Sequence, residues 1–194
     1  MTNALVVIDV QESFRARPLW GTVNNTAVVE NVRKLVEAAR SAGDPVIWVV
    51  HAEPGTGDVF DPASGFVRVM DDLEVAPDEP VLVKTVHNAF TTTDLQHRLT
   101  VAGIASITVC GLRTEQCVET TARVASDLGY EVTFVTDATA TFPIPHRDAA
   151  EDLSVEELLA DPRTLAAEDV VARTEFALAG RFATIRTVAE LVGV

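Results

Sequence analysis

VCGLRTEQCVETTARVASDLG, residues Val109–Gly129, decides how this chain is read. It scans as the end of a buried strand, a tight turn at Gly111 and an amphipathic helix beginning around Thr114. Val118, Ala122, Ala125 and Leu128 recur at helical spacing and form the expected buried stripe. Cys117 falls in the first turn of that helix. Unpaired backbone N–H groups and the positive end of the helix dipole meet there, and both favour a thiolate over a thiol. A nucleophilic sulfur is one reading. A small buried side chain at a strand–helix junction is the other, because free cysteine is among the most buried residue types. The segment alone leaves both open.

Working outward, short apolar runs bounded by turn signals alternate with helical periodicity. Ala4–Ile8, Val46–Val50, Val81–Val83, Ser106–Cys110 and Glu131–Val135 read as strands, with Phe182–Ile185 as a sixth. Helices are expected at Thr26–Ala42, Thr92–Ala102, from about Thr114, at Ala166–Ala179 and at Thr187–Val192. Gly43, Gly103 and Gly180 stop three of these. Such alternation predicts an α/β fold of three layers, Rossmann-like, with about six parallel strands and helices on both faces. Two stretches interrupt the pattern. His51–Pro80 is long and irregular, carrying four prolines and three glycines, the marks of a functional or mobile loop. Residues 143–165 hold Pro143, Pro145 and an acidic patch over Asp148–Asp161, and read as a partly helical insertion. One domain spanning 1–194 is expected.

Composition narrows the function classes. Of the 194 residues, 47% are apolar and 23% charged, as in an ordinary globular chain. A net charge of −14 argues against nucleic acid and anionic membranes as partners. The charge is spread along the chain, which suits solubility. The two cysteines, Cys110 and Cys117, make neither a disulfide framework nor a CxxC pair, and fit a reducing cytoplasm. MTNALVVIDV lacks the basic and apolar regions of a signal peptide, and no apolar stretch approaches a membrane span.

Ligands of an open parallel sheet bind beyond the carboxyl ends of its strands. Three reactive side chains fall at such ends: Asp9, Lys84 and, just past the fourth strand, Cys117. Any single one could simply mark where the chain surfaces. A carboxylate, an ammonium and a thiol on one sheet edge instead make the base, cationic partner and nucleophile of a covalent hydrolase.

Four stretches carry a more specific likeness: ALVVIDVQESF, VLVKTVHNAF, the segment from Val109 through TDATATF, and GRFATIRTVAEL. In that order they resemble the isochorismatase-like cysteine hydrolase superfamily, which includes nicotinamidases, N-carbamoylsarcosine amidohydrolases and isochorismatases. The resemblance implies a triad of Asp9, Lys84 and Cys117. It implies a non-proline cis peptide at Leu112–Arg113 and an oxyanion hole of backbone N–H groups at Arg113, Thr114 and Cys117. It also implies a homo-oligomer, dimer or tetramer, with a small molecule as substrate.

The superfamily splits by chemistry. Its ether-cleaving branch can dispense with the cysteine, so Cys117 favours amide or ureide hydrolysis through a thioester. Nicotinamidases carry an Asp-x-His…His metal site after the second strand. Here HAEPGTGDVF offers His51 without a second histidine nearby, and Glu53, Asp58 and Asp61 could ligate a metal, although acidic loop residues are more often merely solvated. Neither a metal nor another cofactor is expected. Phe14 and Trp20 are candidate pocket walls, or ordinary core packing. Arg113 could meet a substrate carboxylate, face solvent or pair with the acidic insertion. His87, Asn88 and Phe90 are weaker candidates, and His97 and His146 read as surface residues. Two other readings stand beside the amidohydrolase: ether or ester hydrolysis by acid–base chemistry, and a binding protein without turnover.

Overall fold

A computed structural model describes residues 2–193. Its strands are β1 (Asn3–Ile8), β2 (Val46–His51), β3 (Val81–Lys84), β4 (Ser106–Leu112), β5 (Glu131–Ala140) and β6 (Thr184–Arg186). All pair in parallel, in the order β3-β2-β1-β4-β5-β6. The apolar runs make this possible, since β1 and β2 are buried on both faces. Strand order reverses between β1 and β4, and a parallel sheet opens its ligand crevice at that switch point.

The helices are α1 (Glu12–Arg15), α2 (Val28–Ala42), α3 (Leu95–Val101), α4 (Glu119–Asp127), α5 (Val155–Ala160), α6 (Ala167–Leu178) and α7 (Val188–Val192). Val32, Leu35 and Val36 of α2 join Val188 of α7 against Leu5, Val7 and Trp48 on one face. Leu95 and Leu99 of α3, Ala122 and Ala125 of α4, and Leu178 of α6 pack against Val6, Ile8 and Val49 on the other. The three-layer α/β sandwich is therefore as the sequence pattern predicts. Among the described residues no helix is long and apolar enough to cross a membrane.

Two expectations need correction. Leu128 is 42% exposed and lies outside the buried stripe, because α4 ends at Asp127 and the chain turns at Gly129 towards β5. The helix after Gly111 is not α-helical from Thr114: residues Thr114–Val118 form a wider π turn, and the α-helix starts at Glu119. In 143–165, Ile144 and Leu165 form an antiparallel bridge that closes the segment at its base, with α5 between them.

Candidate active site

The site forms where β1, β3 and β4 end. β1 stops at Ile8, and Asp9 takes a positive φ of 53°, a left-handed conformation that aspartate adopts more readily than most residues. The Asp9 N–H donates to Val49 O at 2.8 Å, which anchors the turn to β2. β1 and β4 touch closely here. A Cβ placed on Gly111, whose φ is +119°, would sit 1.9 Å from Ile8 O, so only glycine lets the two strand ends meet. The Leu112–Arg113 peptide is cis.

The π turn then sets the nucleophile's position. Arg113 O accepts the N–H groups of Gln116 at 3.1 Å and Val118 at 3.2 Å, passing over the N–H of Cys117 between them. Single π turns inside helices concentrate at functional sites. Thr121 Oγ1 donates to Cys117 O at 2.7 Å and accepts Ala89 N–H at 3.1 Å, so one hydroxyl joins the cysteine to the loop after β3. Thr114 is buried with its hydroxyl donating to Thr139 Oγ1 at 2.9 Å.

Asp9, Lys84 and Cys117 converge. Lys84 Nζ lies 2.7 Å from Asp9 Oδ2 and donates to Cys117 Sγ at 3.3 Å. Asp9 and Lys84 are wholly buried and Cys117 is 7% exposed. Among the described residues, no donor beyond Lys84 and Cys117 reaches either Asp9 oxygen. Burial, against the opposing pull of Lys84, holds the Asp9 carboxyl above its ordinary pKa. Burial and the Asp9 charge push the Cys117 thiol up to about 12, with Lys84 again opposing. Burial thus works against the thiolate that the helix end and Lys84 favour. Cys110 is fully buried within the sheet and burial alone pushes its thiol up too, leaving it inert.

The other candidates are placed as follows. Arg113 Nη2 pairs with Glu115 Oε1 at 2.8 Å, and its guanidinium lies 5.4 Å from the Phe142 ring centre. It pairs with neither the acidic insertion nor solvent, since Glu115 is two residues along the same turn. A cavity of about 500 Å³ opens beside the nucleophile turn, walled by Arg113, Gln116, Leu19, Ile144, Leu153 and Leu158 among others. Phe14 and Trp20 do not line it. Phe14 stacks on Phe142 at 6.1 Å and Trp20 meets it edge-on at 6.3 Å, while Arg17, Pro18 and Leu19 line the cavity. Asp61 spends its carboxylate on Ala63 and Gly57 N–H groups, both at 3.0 Å. His87 and His97 are exposed, and Phe90 is buried against Tyr130.

Sequence reasoning weighed His51 only as half of a metal site and passed over Gln11. His51 ends an apolar run just as Asp9 and Lys84 do, and its Nδ1 lies 3.3 Å from Lys84 Nζ. Gln11, fully buried two positions after Asp9, donates to His51 O at 3.0 Å and accepts His51 N–H at 2.6 Å. The signal for both was a polar residue interrupting or ending a buried strand.

A doubly covered parallel sheet with a carboxylate, an ammonium and a thiol at its switch point defines an α/β hydrolase of the cysteine type in architecture. The chain belongs to the isochorismatase family: the isochorismatase domain model matches residues 3–165. An uncharacterized isochorismatase family protein of Bacillus subtilis, YrdC, is 32% identical over 72% of this chain and 74% of its own length. Nicotinamidase 3 of Arabidopsis thaliana is 34% identical, covering 72% and 73%. The crystal structure of a cysteine hydrolase from Pseudomonas syringae pv. phaseolicola superposes with a TM-score of 0.84 at 26% identity, covering 98% of this chain and 91% of that one.

Proposed function

We propose that this isochorismatase-family hydrolase cleaves the C–N bond of a small amide or ureide through a Cys117 thioester. The observation that carries this reading is the single ammonium of Lys84 bridging Asp9 and Cys117 inside a water-excluded pocket. A relative named nicotinamidase and a structural neighbour named cysteine hydrolase support it.

With burial pushing the Cys117 thiol up, deprotonation accompanies attack. Asp9 takes the Sγ proton as Sγ bonds to the substrate carbonyl carbon, and the C=O pair moves onto oxygen. N–H groups of Arg113, Thr114 and Cys117 receive that oxyanion; one such donor is worth about 3–4 kcal/mol where measured. Collapse breaks the C–N bond, and the amine leaves with the proton that Asp9 returns. Water then gives a proton to Asp9, attacks the thioester and releases the acid, and Asp9 reprotonates Cys117. Lys84 remains an ammonium throughout and offsets the negative charge that passes between its two partners. The neighbouring cavity sets Arg17, Arg113, Gln116 and Glu151 among apolar walls such as Leu19, Ile144 and Leu158, which suits a substrate with both polar and apolar parts.

A second reading, acid–base cleavage of an ether or ester, draws on the raised Asp9 pKa, which equips that carboxyl to donate a proton. An ammonia-release screen over small amides and ureides, with Cys117→Ala as control, separates the two. The thioester route requires Cys117→Ala to abolish turnover. Retained turnover in that variant transfers the chemistry to Asp9.

A further inference from the structure

Lys84 has a third partner. An ammonium carries three N–H donors, and Asp9 Oδ2 at 2.7 Å and Cys117 Sγ at 3.3 Å account for two. His51 Nδ1, 3.3 Å away, takes the third. β2 and β3 pair so that His51 and Lys84 are in register as neighbours across the ladder. The histidine is held on every side. Gln11 grips its backbone through both amide atoms. The Phe60 ring packs edge-on against the imidazole, with centres 5.9 Å apart. Glu53 Oε1 lies 3.1 Å from Nε2, and with an ionised carboxylate on that side Nε2 carries the hydrogen. Nδ1 is thereby left bare and facing Lys84.

We infer that His51 is a positioning residue of the hydrolytic site: its unprotonated Nδ1 accepts from Lys84 and fixes the ammonium between Asp9 and Cys117. The inference rests on the proposed role of the triad, and it assigns His51 no contact with substrate. A four-carbon lysine stem is flexible, and each further contact narrows where its ammonium sits. Misplacing a catalytic group by 1 Å can cost about 100-fold in rate. The charged or titratable groups around the imidazole are Lys84 on β3, Glu53 in the loop after β2 and Asp9 just past β1.

Iodoacetamide labelling of Cys117 reads the site without any substrate, with protection of fully buried Cys110 reporting that the fold is intact. The wild-type chain, His51→Asn and His51→Leu are compared at neutral pH. Asparagine places an acceptor oxygen near the Nδ1 position, so it should label within about 3-fold of wild type. Leucine should label at least several-fold more slowly. If Leu also exposes Cys110, His51→Ala replaces it in the comparison. Equal labelling of wild type and the leucine or alanine variant overturns the inference, and so does an asparagine variant as slow as leucine. The readout is separate from turnover: a chain that hydrolyses no amide yet shows this ranking loses the proposed reaction and keeps the positioning role.

Discussion

At the scale of single residues, burial works against charge on both Asp9 and Cys117, and Lys84 opposes it. Among the described residues Asp9 finds no donor beyond Lys84 and Cys117, and burial makes its charge costly. As the base it must be ionised, so activity falls when pH drops through a pKa lying above the ordinary 3.8 of an aspartate. The acid limb of kcat/KM should therefore sit above the usual carboxylate range, and Asp9→Asn should remove both limb and activity. A limb within the ordinary range would take the base role away from Asp9. The Cys117 thiol, pushed to about 12, adds no basic limb near neutrality. Gly111 gives a separate test. Its Cβ space is occupied by Ile8 O, and its φ suits no L side chain. Gly111→Ala should cost more than about 3 kcal/mol in chemical denaturation, combining strain with a displaced strand end.

At the scale of elements, the sequence was legible wherever one periodicity dominated. The β1 and β2 runs, the α2 stripe and the alternation of strand and helix were plain because each is a local hydrophobic pattern. The strand-end logic also located Asp9, Lys84 and Cys117, since each breaks such a pattern. What stayed hidden depends on contacts between distant segments. The π turn at Thr114–Val118 is set by β4 meeting β1, and β5 runs on to Ala140 because Gly111 and Leu112 pair with Thr139 and Ala140. Arg113 gave no hint that Glu115 would neutralise it. Nor did Glu119 look structural, yet it is buried and accepts Arg123 Nε at 2.9 Å, Arg173 Nη1 at 2.6 Å and Thr174 Oγ1 at 2.9 Å. These bonds tie α4, two residues past the cysteine, to α6. Arg123 and Arg173 are partly exposed, which limits the energy of each pair. Glu119→Ala should thus cost about 1–3 kcal/mol in urea unfolding, mostly through the lost charge-assisted bonds. Unchanged stability would mean that apolar packing alone docks α6.

At the scale of the whole molecule, the long connection between β2 and β3 has to be held against the sheet that carries the site. Glu79 does this from a nearly buried position. Its carboxylate accepts Arg40 Nε at 2.7 Å from α2, Trp48 Nε1 at 2.7 Å from β2 and Ala76 N–H at 3.1 Å within the loop. Arg40 also reaches Glu74 O at 2.7 Å, so one ion pair pins the loop's end to helix and strand. Burial acts to raise the Glu79 pKa, but the bonds from Arg40, Trp48 and Ala76 outweigh it and hold the group below its ordinary 4.5. The sign follows from linkage. A carboxylate whose folded pKa lies below the unfolded one stabilises fully above the unfolded value, and the gain disappears as pH falls through the folded value. Glu79→Gln should lose about 1.5–3 kcal/mol at neutral pH, the worth of hydrogen bonds to a charged group. The gap between variant and wild type should close progressively below pH 4.5, where the native carboxylate takes up its proton. Urea unfolding at neutral and acid pH measures both halves. Asp9 works in the opposite sense: its raised pKa makes its ionised form a cost to the fold at neutral pH, relieved on acidification. A gap that stayed constant with pH would show that Glu79 acts through shape and packing, and that the loop does not depend on its charge.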